Sequence, residues 1–138
     1  VSCSKALDIC LSKLNNRFNY IKELSDLVKE NLRKYKNVHI NNTNYSIPHT
    51  INFSVKGVKA LDIQEALEKY DIYVSTKTSC GPINTPSKLV YALTKDKGLS
   101  SSAVRVSISH LTTKEEILEY TNSYLNDEWQ NVLKKIKN

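Results

Sequence analysis

The chain has 138 residues, of which 20 are Lys or Arg and 14 are Asp or Glu, giving a formal net charge of +6. At this length folding buries roughly two-thirds of the unfolded chain's surface, so one domain with a single core is expected over residues 1–138. The positive balance does not mark a nucleic-acid binder, because the lysines are spread over the first helix, the middle and the tail (Lys134, Lys135, Lys137) and interleave with acidic residues, whereas nucleic acid asks for a dense basic stripe with stacking aromatics.

Three cysteines, an odd count without CxxC spacing, signal neither a disulfide framework nor a zinc site. They fit a reducing cytoplasm. No apolar run approaches the ~20 residues of a membrane span, and Lys5 and Asp8 break any signal-peptide pattern, so a soluble protein without a membrane partner is expected. The three glycines form no Gly-x-Gly or Walker loop, which leaves a phosphate-bearing cofactor without an obvious cradle.

From Ser4 to about Lys36, Leu7, Leu11, Leu14, Phe18, Ile21, Leu24, Val28 and Leu32 recur at helical steps, predicting a long amphipathic helix. Cys3 and Cys10 lie on it one above the other, and as small apolar side chains they are expected to pack against the core. A helix already in phase at the first residue is expected of a piece cut from a longer polypeptide. Val38 to Asn41 reads as a short strand, followed by turn chemistry in Asn41-Asn-Thr-Asn44. Thr50 to Val55 is a clearer strand, with Ile51, Phe53 and Val55 on one face and Thr50, Asn52 and Ser54 on the other. After Gly57, Ala60 to Tyr70 is a predicted helix with Leu61, Ile63, Ala66, Leu67 and Tyr70 inward.

Ile72 to Ser75 reads as another short strand, and the polar stretch to Thr85 as a loop. The next helix is expected to start with Thr85 as its cap and Pro86 at its first position, to bury Leu89, Val90 and Leu93, and to end by Gly98 with Lys95 and Lys97 in its last turn. Val104 to Ser109 alternates strictly, placing Val104, Val106 and Ile108 on one face and Arg105, Ser107 and Ser109 on the other. A capping box of Thr112 and Glu115 then opens a helix that runs to Leu125; Trp129, Val132, Leu133 and Ile136 extend the amphipathic pattern. The sum is an α+β domain of two layers, a small mixed or antiparallel sheet with helices on one face and a long N-terminal helix before it. The polar sheet face is either solvated or covered by another part of a larger protein.

Two side chains stand out as chemistry. Cys80 lies between Ser79 and Gly81 in the polar loop, where a thiol is exposed rather than packed, with Lys77 near enough to favour a thiolate. A lone loop cysteine is more often inert than catalytic, and no general base or metal-ligand set accompanies it. Arg105 is the one guanidinium on a face of hydroxyls; such an arginine is commonly a solvated surface residue, yet its planar fork also holds carboxylates bidentately. His39, His49 and His110 are scattered singly at strand ends, where structural roles are commoner than ligand roles.

Taken in order, the Ile47-Pro-His-Thr-Ile-Asn-Phe-Ser strand, Ser75-Thr-Lys-Thr-Ser-Cys80, the Thr85-Pro-Ser helix start, Val104-Arg-Val-Ser-Ile-Ser and Leu111-Thr-Thr-Lys-Glu-Glu-Ile resemble one family. It is the NifS-like branch of the class V aminotransferases, the pyridoxal-phosphate (PLP) dependent cysteine desulfurases, and the part resembled is the C-terminal small domain of this fold-type I architecture. The likeness reaches back through the long helix and forward to about Leu125. It implies that Cys80 is the thiol that takes sulfur from L-cysteine as a persulfide, that Arg105 anchors the substrate α-carboxylate, and that L-alanine is the other product. It further implies that PLP and its Schiff-base lysine belong to a large domain of the same polypeptide, absent from this chain, so that the chain alone is inactive. A homodimer when complete, a sulfur-acceptor protein, and a place in iron-sulfur cluster or thio-cofactor assembly follow from the same resemblance. Lys77 stands where the family more often has a small residue, and Gly81-Pro82 follows Cys80 where small polar residues are more frequent.

Two alternatives remain at the level of sequence. One is another class V enzyme, a selenocysteine lyase or an aminotransferase; the other is a non-catalytic thiol carrier or interaction domain.

Overall fold

A computed structural model describes residues 2–69, 72–76, 85–121 and 131. The elements are α1 (Ser2–Arg33), β1 (Val38–Ile40), β2 (Thr50–Val55), α2 (Ala60–Glu68), α3 (Lys88–Thr94), α4 (Lys97–Ser101), β3 (Ala103–Ser107) and α5 (Lys114–Glu119). The loop centred on Cys80, Tyr70 at the predicted end of α2, the continuation of α5 to Leu125, and Trp129, Val132, Leu133 and Ile136 lie outside the described residues.

The period-two patterns of β2 and β3 decide the sheet. Its order is β1-β2-β3 and both pairings are antiparallel. Ile51 stands opposite Val106 and Phe53 opposite Val104, so the apolar residues share one face; Asn52 stands opposite Arg105 and Ser54 opposite Ala103 on the other. A slip of one residue would carry Arg105 into the core, which is why one buried face specifies the register strongly. β1 stops at Ile40, but the asparagines after it keep working on β2: Asn42 Oδ1 accepts from the Asn52 N–H (2.7 Å) and Asn42 Nδ2 donates to the Thr50 carbonyl (2.8 Å). An amide side chain thus replaces one step of the ladder.

On the apolar face lie Ile21, Leu24, Val28 and Leu32 of α1, Ile63 and Leu67 of α2, and Ile117 of α5, all buried with Ile51, Phe53, Val55 and Val104 in one cluster. Burying each large side chain fully contributes about 1.5–3 kcal/mol. Tyr20 of α1 donates from its hydroxyl to the Thr112 carbonyl (2.9 Å), tying the long helix to the start of α5.

The expectation that all of α1 packs inward holds only for its second half. Leu7, Leu11, Leu14 and Phe18 remain 43–62% exposed, and Cys3 and Cys10 are exposed rather than packed. Length is the reason. A 32-residue helix runs about 48 Å, while a six-residue strand runs about 20 Å, so the first half of α1 overhangs the sheet.

Other expectations shift by a residue or two. Thr85 does not cap the post-loop helix: Ser87 does, its Oγ accepting from the Val90 N–H (3.3 Å), so Pro86 precedes the cap. That helix ends at Thr94, where Lys95 takes a left-handed conformation (φ 57°), and Asp96 caps the separate α4 through the N–H groups of Gly98 and Leu99. Of its three predicted core residues only Val90 is buried; Leu89 is 74% and Leu93 55% exposed. The capping box is built by Thr113 and Glu116, one residue beyond the predicted Thr112 and Glu115, because the Thr112 hydroxyl is taken by the turn, accepting from the Ser109 N–H (3.1 Å). Residues 72–75 form a single β-bridge rather than a strand.

The helices expected on one face are α1, α2 and α5. The short α3 and α4 meet the sheet from its polar side: Ser54, on that face, donates from its hydroxyl to the Leu99 carbonyl of α4 (2.7 Å).

Candidate functional site

Arg105 projects from the middle of β3 on the polar face, as its alternation requires, and is exposed. Its backbone is engaged on the outer side of the strand. The Ser75 N–H donates to the Arg105 carbonyl (3.0 Å), the Arg105 N–H donates to the Ser75 carbonyl (2.7 Å), and Arg105 Nη2 donates to Ser75 Oγ (3.2 Å). One residue later, Thr76 Oγ1 donates to Gln64 Oε1 of α2 (3.0 Å). The chain entering the Cys80 loop is therefore held at consecutive residues by β3 and by α2.

The other end of the loop is held as well. The Ser87 N–H donates to the Ser100 carbonyl of α4 (2.8 Å) while its hydroxyl caps α3. Cys80 itself, four residues beyond Thr76 in sequence, lies outside the described residues.

A cavity of about 280 Å³ opens over this face. Its polar wall holds Asn41, Thr50, Asn52, Ser75 and Arg105, and α3 supplies an apolar wall with Leu89 and Leu93. No acidic side chain is among its described lining residues, and Arg105 makes no ion pair among the described residues. A guanidinium ringed by neutral amides and hydroxyls has the chemistry to accept an anion, and its planar fork has the shape to pair with a small carboxylate.

Beneath the cavity runs a buried polar chain that sequence reasoning missed. Asn41 Nδ2 donates both to Asn52 Oδ1 (2.7 Å) and to Ser54 Oγ (2.8 Å), and Ser54 passes its own proton to Leu99. The polar alternation of β2 was the available signal, but only the register with β3 places these residues beside the arginine.

The remaining candidates do not join this site. His49 sits against Phe18, ring centroids 6.4 Å apart, and its carbonyl accepts from the Ile108 N–H, a structural role. His39 and His110 are exposed. Among the described residues no group of three or more His, Cys, Asp or Glu is placed to hold a metal, and no helix is long and apolar enough to cross a membrane.

The model of the Aminotransferase class-V family matches residues 1–119. Over 118 residues the chain is 31% identical to cysteine desulfurase IscS of Buchnera aphidicola subsp. Baizongia pistaciae, covering 84% of this chain and 28% of the relative. It is likewise 31% identical to the mitosomal cysteine desulfurase of Encephalitozoon cuniculi, over 85% of this chain and 27% of that protein. A solved NifS-like protein superposes with a TM-score of 0.69 at 22% identity, covering 96% of this chain and 30% of the other, a likeness of fold. The chain spans less than a third of the length of these relatives. Matched by the family model along all but its last residues, and sharing the fold that this family builds, the chain belongs to the class V aminotransferases.

Proposed function

We propose that residues 1–138 form the C-terminal small domain of a cysteine desulfurase that converts L-cysteine to L-alanine and leaves the sulfur as a persulfide on Cys80. The observation that supports this reading is the threefold attachment of Ser75 to Arg105, which sets a guanidinium beside a residue that precedes Cys80 by five positions in sequence. Similarity to relatives named cysteine desulfurase supports it. In the proposed reaction Arg105 holds the substrate carboxylate, and the Cys80 thiolate forms an S–S bond to the substrate sulfur. The C–S bond breaks with its electron pair kept on carbon, and a proton completes L-alanine.

The described residues do not fit PLP itself. Gly57 lies in a turn (φ +88°), and Asp96 Oδ1 stands 3.1 Å from where a Cβ on Gly98 would be, a carboxylate that opposes a phosphate. PLP is the group that supplies an electron sink when bound. We assign it, with its lysine, to a large domain of the same polypeptide. The exposed stripe of Leu7, Leu11 and Leu14 is a surface such a domain would cover. A homodimer, a sulfur-acceptor protein, a cytoplasmic setting and service to iron-sulfur cluster or thio-cofactor assembly complete the proposal.

The test uses the full-length protein with PLP and L-cysteine, following alanine by amino-acid analysis and sulfur on the Cys80 peptide by mass spectrometry. Alanine should form, one extra sulfur should appear on Cys80, and Cys80→Ser should abolish both. Undiminished alanine formation by Cys80→Ser removes the thiol from the reaction.

A further inference from the structure

The geometry points to Asn52 as a second donor to the same carboxylate, acting beside Arg105; this rests on the anion site proposed above.

The argument begins with hydrogen-bond parity. Arg105 directs its backbone N–H and carbonyl to Ser75, away from β2, and the Asn52 carbonyl and N–H both point to the β1 side, toward Asn41 and Asn42. The facing pair Asn52 and Arg105 therefore exchanges no backbone hydrogen bonds. In an antiparallel sheet that is the closer kind of pair, with Cα atoms about 4.5 Å apart and side chains on the same face.

The orientation of the Asn52 amide is set from below. Ser54 Oγ gives its only proton to the Leu99 carbonyl (2.7 Å), so it must accept from Asn41, and the Asn41 atom facing it must be Nδ2. That same Nδ2 lies 2.7 Å from the Asn52 side chain, so the Asn52 atom it meets must be the acceptor Oδ1. The other branch of the planar amide, Nδ2, is then turned away from Asn41. Among the described residues no acceptor takes it, although Asn52 is half-buried in the wall of the cavity that Arg105 shares. Two side chains that face each other across the strands both present donors, with no acceptor between them. An anion with two oxygens on one plane satisfies both, one oxygen to each or both shared. The chain Leu99, Ser54, Asn41, Asn52 thus holds the donor in place before the ligand arrives, which spares the cost of ordering it on binding.

The experiment measures binding of L-alanine and of L-alaninamide to the full-length protein by calorimetry, for the wild type and Asn52→Asp. The aspartate keeps the oxygen that Asn41 needs and replaces the donor by a charge that repels a carboxylate. Affinity for L-alanine should fall at least about tenfold, as expected for losing a charge-assisted hydrogen bond, and affinity for the amide should not fall. Should Asn52→Asp fail to fold by thermal melt, Asn52→Ala removes the donor without adding charge, and affinity for L-alanine should then fall more than affinity for the amide, whose bond to the donor is not charge-assisted. Unchanged L-alanine affinity, an equal loss for both ligands, or a wild type that does not bind L-alanine overturns the assignment. If L-alanine binds with the expected dependence on Asn52 while L-cysteine yields no alanine, the carboxylate site stands and the desulfuration reading falls.

Discussion

Ser75 and Arg105 are joined three times: by two reciprocal backbone hydrogen bonds and by a hydrogen bond from the guanidinium to the serine hydroxyl. The arginine and the residue that leads toward Cys80 are consequently fixed to each other. In the proposed reaction, a substrate anchored at Arg105 would meet a thiol whose tether starts at the residue that braces the anchor.

Removing the brace alone should be felt in binding more than in folding. Ser75→Ala keeps the backbone bridge and deletes the acceptor of Arg105 Nη2. A net hydrogen bond of this kind is worth about 1 kcal/mol, so kcat/KM for L-cysteine in the full-length protein should drop roughly fivefold through KM. A drop confined to kcat would place Ser75 in the chemical step instead.

Arg105 itself should cost more. Arg105→Lys keeps the charge and loses the planar fork, and Arg105→Ala loses both; the alanine variant should fall at least about tenfold in kcat/KM. Because Arg105 is exposed and its backbone contacts do not need the side chain, thermal melts of both variants should match the wild type. Lowered stability with undiminished efficiency would make Arg105 a structural residue.

Cys3 and Cys10 offer a test of what covers α1. In the 138-residue polypeptide both are exposed, so an alkylating reagent should modify them as fast in buffer as in urea. In the full-length protein, burial of the overhanging half of α1 should slow both by more than about tenfold, as restricted access does to thiols. Equal rates in the two proteins would leave the apolar stripe uncovered.

The core has one residue on which most depends. Phe53 is fully buried at the centre of β2, and Phe53→Ala should cost about 3–5 kcal/mol, read as a lowered midpoint in urea. A loss under about 1 kcal/mol would mean that the apolar layer collapses around the vacancy.

Tyr120 sets an alkaline limit. Its hydroxyl is buried with no hydrogen-bond partner among the described residues, and burial pushes its pKa well above the usual tyrosine value. The folded state then keeps a proton that the unfolded state loses above about pH 10, so stability is complete below that pH and declines as pH rises. Tyr120→Phe should flatten this decline in urea melts between about pH 9 and 11, and at neutral pH should be no less stable than the wild type. A decline of unchanged slope would place its source in other groups.

The parts of this structure that sequence made legible are those where one residue's environment is set by its immediate neighbours. Alternation in β2 and β3 placed Ile51, Phe53 and Val104 inward and Arg105 outward, because one buried face permits a single register. Caps were found to within a residue or two and then misassigned. Thr112 stands beside Thr113 and Glu115 beside Glu116, each chemically able to cap, and the choice was made by the turn at Ser109. Periodicity in α1 marked an apolar stripe but could not say what lies against it, so Cys3 and Cys10 were placed in a core that does not extend that far. Asn52 escaped notice because its significance is a relationship across strands, and Cys80 lies outside the described residues.

The overhang of α1 also has a mechanical side. The helix contains neither glycine nor proline through its 32 residues, so it has no hinge and behaves as a stiff rod about 48 Å long. One end is cemented to the sheet by Leu24, Val28 and Leu32; whatever grips Leu7, Leu11 and Leu14 holds the other. A lever of that length turns a tilt of about 5° at the gripped end into a displacement of about 4 Å at the far one. The straightness of this helix therefore fixes how the sheet, and the Arg105 it carries, sits relative to whatever grips the first half of α1.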